Sequence, residues 1–157
     1  MDIYQLLPLL DGWKRLVIEK SNVRVSGEME IGKVTQSGWI IGAVVNFTGS
    51  ENTVFTIRYH DRTGNADSIS ASPKSLYNLG LVDVESLHGA VLCKADSNTK
   101  NYTMLLSPSR PIPFFASKEY PLSLIVVGEC VINYLGCEIV LIIDREKFVS
   151  SLRRVIG

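Results

Sequence analysis

Cysteine is scarce: Cys93, Cys130 and Cys137 are the three present, and no CxxC pair exists among them. An odd count excludes a closed disulfide framework, and without tight clusters or nearby histidines a zinc site has no support. Small buried thiols in a reducing setting are the reading that follows. Histidine is scarcer, at His60 and His88 only, so no HxH or HxxxH ligand pair occurs. Charge of one sign is also missing. Sixteen Lys plus Arg balance 16 Asp plus Glu, which removes the usual pull toward phosphate backbones or acidic membranes. No nucleic-acid partner is expected. No apolar run approaches the roughly 20 residues of a bilayer span; the longest, Leu122 to Val127, contains Ser123 and is closed by Gly128 and Glu129. No basic region precedes Leu6, Leu7, Leu9 and Leu10, so the start does not read as a signal peptide and intracellular synthesis is the expectation.

What is present is β structure. The chain has 157 residues, 46 % of them hydrophobic and 20 % charged, which suits one globular domain and excludes a disordered chain. The hydrophobic period is 2 over most of it. Val23, Val25, Met29 and Ile31 alternate with polar residues, with a bulge or bend expected at Gly27. Asn52 to His60 alternates cleanly, and Trp39 to Phe47 has the near-continuous apolar content of a central strand. Further strands are expected at Leu16–Ile18, Gly89–Lys94 and Tyr102–Leu106. Leu122–Ile132 and Leu135–Ile143 read as a hairpin turning at Asn133-Tyr134. In that hairpin Cys130 and Cys137 would be opposed within bridging range. Turn-formers such as Ser21-Asn22, Thr48-Gly49-Ser50 and Thr63-Gly64-Asn65 separate the runs at short intervals. Connections this brief require antiparallel pairing. The expected fold is an all-β antiparallel sandwich, jelly-roll-like, of about eight strands, with a closed barrel as the alternative.

Two helices are expected. Ser72 caps a short one with Pro73 at its first position and Gly80 at its stop. Asp144 caps the other, with Glu146 in its first turn, Arg153 and Arg154 in its last, and an apolar stripe through Phe148, Val149, Leu152, Val155 and Ile156. The organisation is then an apolar arm or short helix over residues 1–12, a β-sandwich over 13–143, and an amphipathic helix over 144–157 docked on the domain or a neighbour.

The residues offer little chemistry. Gly27 to Lys33 satisfies GxxxxGK, but Val34 replaces the magnesium-holding Ser or Thr, and two glutamates would repel phosphates. His60 and Asp61 are adjacent on a strand, point to opposite faces, and have no nucleophile near in sequence. His88 would need carboxylates such as Asp83 or Glu85 to converge on it. Asn46-Phe47-Thr48 and Asn101-Tyr102-Thr103 match the glycosylation sequon. Trp13 and Tyr134, at predicted turns, are candidates for a sugar-stacking platform. Pro108, Pro111 and Pro113 force an extended segment that ends on Phe114-Phe115.

With no convergent polar cluster, a binding or structural role is favoured over catalysis. The neutral β body and the apolar terminal segments resemble, over most of the chain, the small β-sandwich and jelly-roll proteins of virus and tailed-phage particles. That resemblance implies a structural protein in a symmetric assembly, without cofactor or catalysis. The expectation is a self-associating subunit, or one docking on other structural proteins, with Leu6, Leu7, Leu9, Leu10, Phe114 and Phe115 as interface residues. A carbohydrate- or protein-binding module using Trp13 or Tyr134 is the alternative, and a small enzyme using His60 or His88 the second alternative.

Overall fold

The computed structural model describes residues 3–79, 90–108 and 110–157. The architecture is all-β, antiparallel and sandwich-like, with eight strands among the described residues, a short internal helix and a C-terminal helix, as the hydrophobic periodicity implies. All eight strands belong to one hydrogen-bonded sheet that curls on itself as a half-barrel.

Two very long strands form its spine. β1 (Trp13–Val34) and β8 (Leu122–Ile142) pair antiparallel from Trp13–Ile142 to Val34–Leu122. On the other edge of β8, β2 (Gly38–Gly49) covers one half and β3 (Val54–His60) the other. β2 and β3 therefore run in series, and the link between them steps outward where β8 carries Gly128. From β2 the sheet continues to β6 (Asn101–Leu106) and β5 (Ala90–Asp96), and from β3 to β4 (Ala66–Ala71). The short β7 (Ile112–Phe114) pairs with the start of β2, and the next residue, Phe115, bridges to His60 at the end of β3. One strap thus touches both ends of the β2–β3 line, which is possible only because the sheet folds over.

Glycines mark the fold line. Gly27 and Gly128 are Cα partners across β1 and β8, at φ +81° and +151°, and Gly49, at φ +155°, lies opposite Cys130. Backbone there is in a region that side chains rarely tolerate. A Cβ on Gly128 would stand 2.7 Å from Thr53 Oγ1, so the β2–β3 link packs directly onto the glycine.

The core fills the space between the two halves of the curl. Leu122, Leu124, Val126, Phe55 and Ile57 face Ile132, Cys137, Ile139, Val45 and Met104 across it. Phe47 lies 5.1 Å from Phe55 and 5.6 Å from Tyr102, ring centre to ring centre. A second apolar cluster forms on the outside of the sheet. There Trp39, Ile41, Val140 and Ile142 are covered by α1 (Ile3–Leu6), the 3-10 turn Leu7–Leu9, and α3 (Arg145–Ile156). Asp144 caps α3 by accepting from Lys147 N at 3.1 Å, and Ser72 caps α2 (Pro73–Asn78) through a capping box with Ser75. The C-terminal helix docks on its own sheet.

The hairpin expected at Asn133-Tyr134 is not formed. Residues 122–142 are one continuous strand, and Leu16–Ile18 and Val23–Ile31 likewise merge into one. Neither Asn133 nor Tyr134 takes the positive φ that a two-residue hairpin loop requires. Cys130 and Cys137 consequently lie seven residues apart on one strand, about 23 Å at 3.3 Å per residue, and cannot bridge. The turn-formers do mark a real irregularity. Asn22, at φ +56°, lies across from Asn133, and there the inward face changes parity in both strands. Core residues are even-numbered from Leu122 to Ile132 and odd-numbered from Leu135 to Leu141. β4 and β7 restore the strand count to eight; neither is foreseen by alternation, since β4 is short and polar and β7 contains Pro113.

Candidate functional site

The feature that sets this sheet apart is the outer edge of β1. Among the described residues β1 pairs with β8 alone, leaving its other edge without a backbone partner along 22 residues. Its side chains are mostly exposed, and charge is spread along it at Lys14, Arg15, Glu19, Lys20, Arg24, Glu28, Glu30 and Lys33. Within the chain, Arg15 Nε meets Glu138 Oε1 at 2.6 Å, Glu19 Oε1 accepts from Tyr134 OH at 3.1 Å, and Ser26 Oγ donates to Glu129 Oε1 at 3.0 Å. The bond to Glu19 holds the Tyr134 phenol above its ordinary pKa.

Beside this edge, on the outside of the sheet, lies a shallow groove of about 330 Å³. Gly42 and Gly136 lie at it, with Val17, Leu105 and Tyr134 also lining it. Tyr134 lies over Gly136, with its hydroxyl 2.7 Å from where a Cβ would stand. Next to the groove the two sequon tripeptides pair with each other. Asn46 is opposite Thr103, Phe47 opposite Tyr102, and Thr48 opposite Asn101. The aromatic members point into the core, and the polar members form an outer ladder. Asn46 Nδ2 donates to Thr103 Oγ1 at 2.8 Å and to Asn101 Oδ1 at 3.0 Å, while Asn133 Nδ2 donates to Asn46 Oδ1 at 2.9 Å. Both sequon amides are thereby engaged inside the sheet.

The predicted interface residues separate into two groups. Leu7, Leu10 and Phe114 are buried within the chain, and Leu6 is half-buried in the outer cluster. Leu9 and Phe115 stand exposed, at 59 % and 47 %. The platform residues also divide. Trp13 is tied down, its Nε1 shared between Leu7 O at 2.8 Å and Leu10 O at 2.9 Å, whereas Tyr134 is 40 % exposed at the groove.

His60 and Asp61 form no dyad. The Asp61 carboxylate accepts from Thr63 Oγ1, Thr63 N and Asn65 N, which hold it below the usual carboxylate range and commit it to the turn. The His60 ring packs on Tyr120 at 5.1 Å. Its Nδ1 and Thr53 Oγ1 are buried side-chain atoms without a hydrogen-bond partner among the described residues. His88, Asp83 and Glu85 lie outside the described residues. Among those described, no group of three or more His, Cys, Asp or Glu stands close enough to hold a metal ion. The Gly27–Lys33 stretch is strand throughout. Among the described residues no helix is long and apolar enough to cross a membrane.

Neither the free edge nor the groove was visible in the sequence as a site. The signal available was the charge along Trp13–Val34, set against its near-absence in Leu122–Ile142.

No family model matches the chain, and no curated protein matches it.

Proposed function

We propose that this chain is a non-enzymatic structural subunit that self-associates. A particle component of the virus or tailed-phage kind is the setting its overall pattern resembles. The observation that carries the reading is the β1 edge, long and without a partner among the described residues. Exposed edges are templates for strand addition, and monomeric proteins keep them short, bulged, charged or covered. Exposed Leu9, Phe115 and Ile143 would add apolar contact to an interface. Molar mass by light scattering across a wide concentration range tests the proposal. A closed oligomer or larger particle is expected, and a monodisperse monomer at every concentration contradicts it.

The groove supports a second reading, a ligand-binding module in which Tyr134 stacks on a sugar or an extended peptide. Screening the protein against immobilised glycans, with Tyr134→Ala beside it, tests that reading. Retention abolished by the substitution is the expected result; no retention on any glycan counts against it.

A further inference from the structure

We propose that a second copy of this chain pairs along the free edge of β1, antiparallel, about a two-fold axis between Ser21 and Asn22. The inference rests on the self-association reading and specifies the partner, the surface and the register.

Charge on an edge strand ordinarily discourages pairing. Here its arrangement is self-complementary. About that axis Arg15 falls opposite Glu28 of the partner subunit, and Glu19 opposite Arg24 of the partner subunit. Symmetry repeats each pair, so four opposite-charge contacts form and no like charges meet. Ile18 falls opposite Val25 of the partner subunit, both on the inner face.

The register also agrees with the faces of the strand. Leu16 and Ile18 face the core before Asn22, while Val23 and Val25 face it afterwards. Because of this parity change, pairing about the Ser21–Asn22 midpoint sets inner residues against inner residues and outer against outer. Sliding the pairing by one step that keeps the faces matched gives Arg15 opposite Glu30 as the one charge pair, or none. A further step either way sets Arg15 opposite Arg24, or Glu19 opposite Glu28. An unbroken alternation would lack this match, so the Asn22–Asn133 irregularity makes the edge compatible with itself. A two-fold axis makes a closed, isologous dimer.

The groups are available. The Arg15 side chain is 62 % exposed despite its bond to Glu138. Glu19 has a second carboxylate oxygen beyond the one Tyr134 occupies. Among the described residues Arg24 makes no intrachain ion pair.

The test uses the full chain in sedimentation equilibrium, with Glu19→Arg, Arg24→Glu and the double reversal beside the native protein. Each single reversal sets like charges at two symmetric contacts and is expected to weaken the dimer by about tenfold or more. The double reversal should restore it. Independently, Val17→Cys with Ser26→Cys should form disulfide-linked dimers on mild oxidation, since Val17 falls opposite the partner subunit's Ser26. In one chain these positions are nine residues apart on a strand and cannot bridge. The cysteine pair decides the matter if a charge reversal impairs folding. An oligomer indifferent to the reversals and lacking the cross-link overturns the proposed register while leaving self-association standing. A native chain that is monomeric at all concentrations overturns both.

Discussion

β1 and β8 are nearly equal in length, 22 and 21 residues, and pair with each other end to end, yet they live in different surroundings. β8 carries charge only at Glu129 and Glu138, is flanked on both edges, and contributes Leu122, Val126, Ile132 and Ile139 to the deep core. β1 is charged along its length, is flanked on one edge among the described residues, and buries few side chains. Hydrogen bonding to a neighbour does not by itself make a strand central. What makes β8 central is the second neighbour and the apolar side chains on the face that the curl encloses. Among the described residues nothing pairs with the other edge of β1, so its carbonyls and amides are left there to water or to another chain.

Substitutions on the two strands should expose this contrast. Ile139→Ala in β8 removes a fully buried side chain and should cost about 2–5 kcal/mol of unfolding free energy, whereas Val17→Ala in β1, in the monomer, should stay within about 0.5 kcal/mol by urea denaturation. Comparable losses at the two sites would contradict the division of labour. The glycine pair offers a closer comparison, because Gly27 and Gly128 face each other. Gly128→Ala drives a Cβ to 2.9 Å from Thr53 Cα at φ +151° and should cost about 3 kcal/mol. Gly27→Ala meets nothing within 4 Å and should cost only about 1 kcal/mol for its positive φ. Equal melting temperatures for the two variants would refute the bend at β8 as the tighter point.

Smaller effects follow outside the core and at high pH. Asp144→Ala deletes the cap of the helix that covers the outer face of β8 and should lower stability by about 1 kcal/mol. Burial pushes the Cys137 thiol up to about 12 from 9.0, and burial, followed by Asp67, pushes Tyr59 up to about 12. Groups that hold their protons more tightly when folded contribute stability that is complete below their unfolded pKa and lost as pH rises through the folded one. The melting temperature should therefore fall as pH rises from about 9 toward 12, and Cys137→Val should flatten part of that fall. A melting temperature that rises across this range would reverse the sign of the account.

Much of the fold was legible because alternation reports directly on a half-buried strand. Val54 to Tyr59 is strand with Phe55, Ile57 and Tyr59 inward, and Asp144 caps a helix through Ile156. The sequence misleads at Ser21-Asn22 and Asn133-Tyr134 because a parity change accompanied by turn-formers looks locally the same whether the chain reverses or continues. Only the partner decides, and here the two irregularities lie opposite each other while the register runs on unshifted through them. The fold line is legible at Gly27 but not at its partner Gly128, since the β2–β3 link that packs against Gly128 comes from a distant part of the chain. The candidate edge was hidden for a similar reason. Charge along Trp13–Val34 reads as an ordinary solvated face until the sheet order gives the strand one neighbour among the described residues.

The most direct test is deuterium uptake along residues 13–30 measured at several protein concentrations. If β1 pairs with a second copy, the amides that point away from β8 exchange slowly in concentrated protein and faster on dilution, while amides of residues 130–141 stay protected throughout. Uptake along β1 that is rapid and independent of concentration would contradict the assignment of this edge as the surface through which the chain assembles.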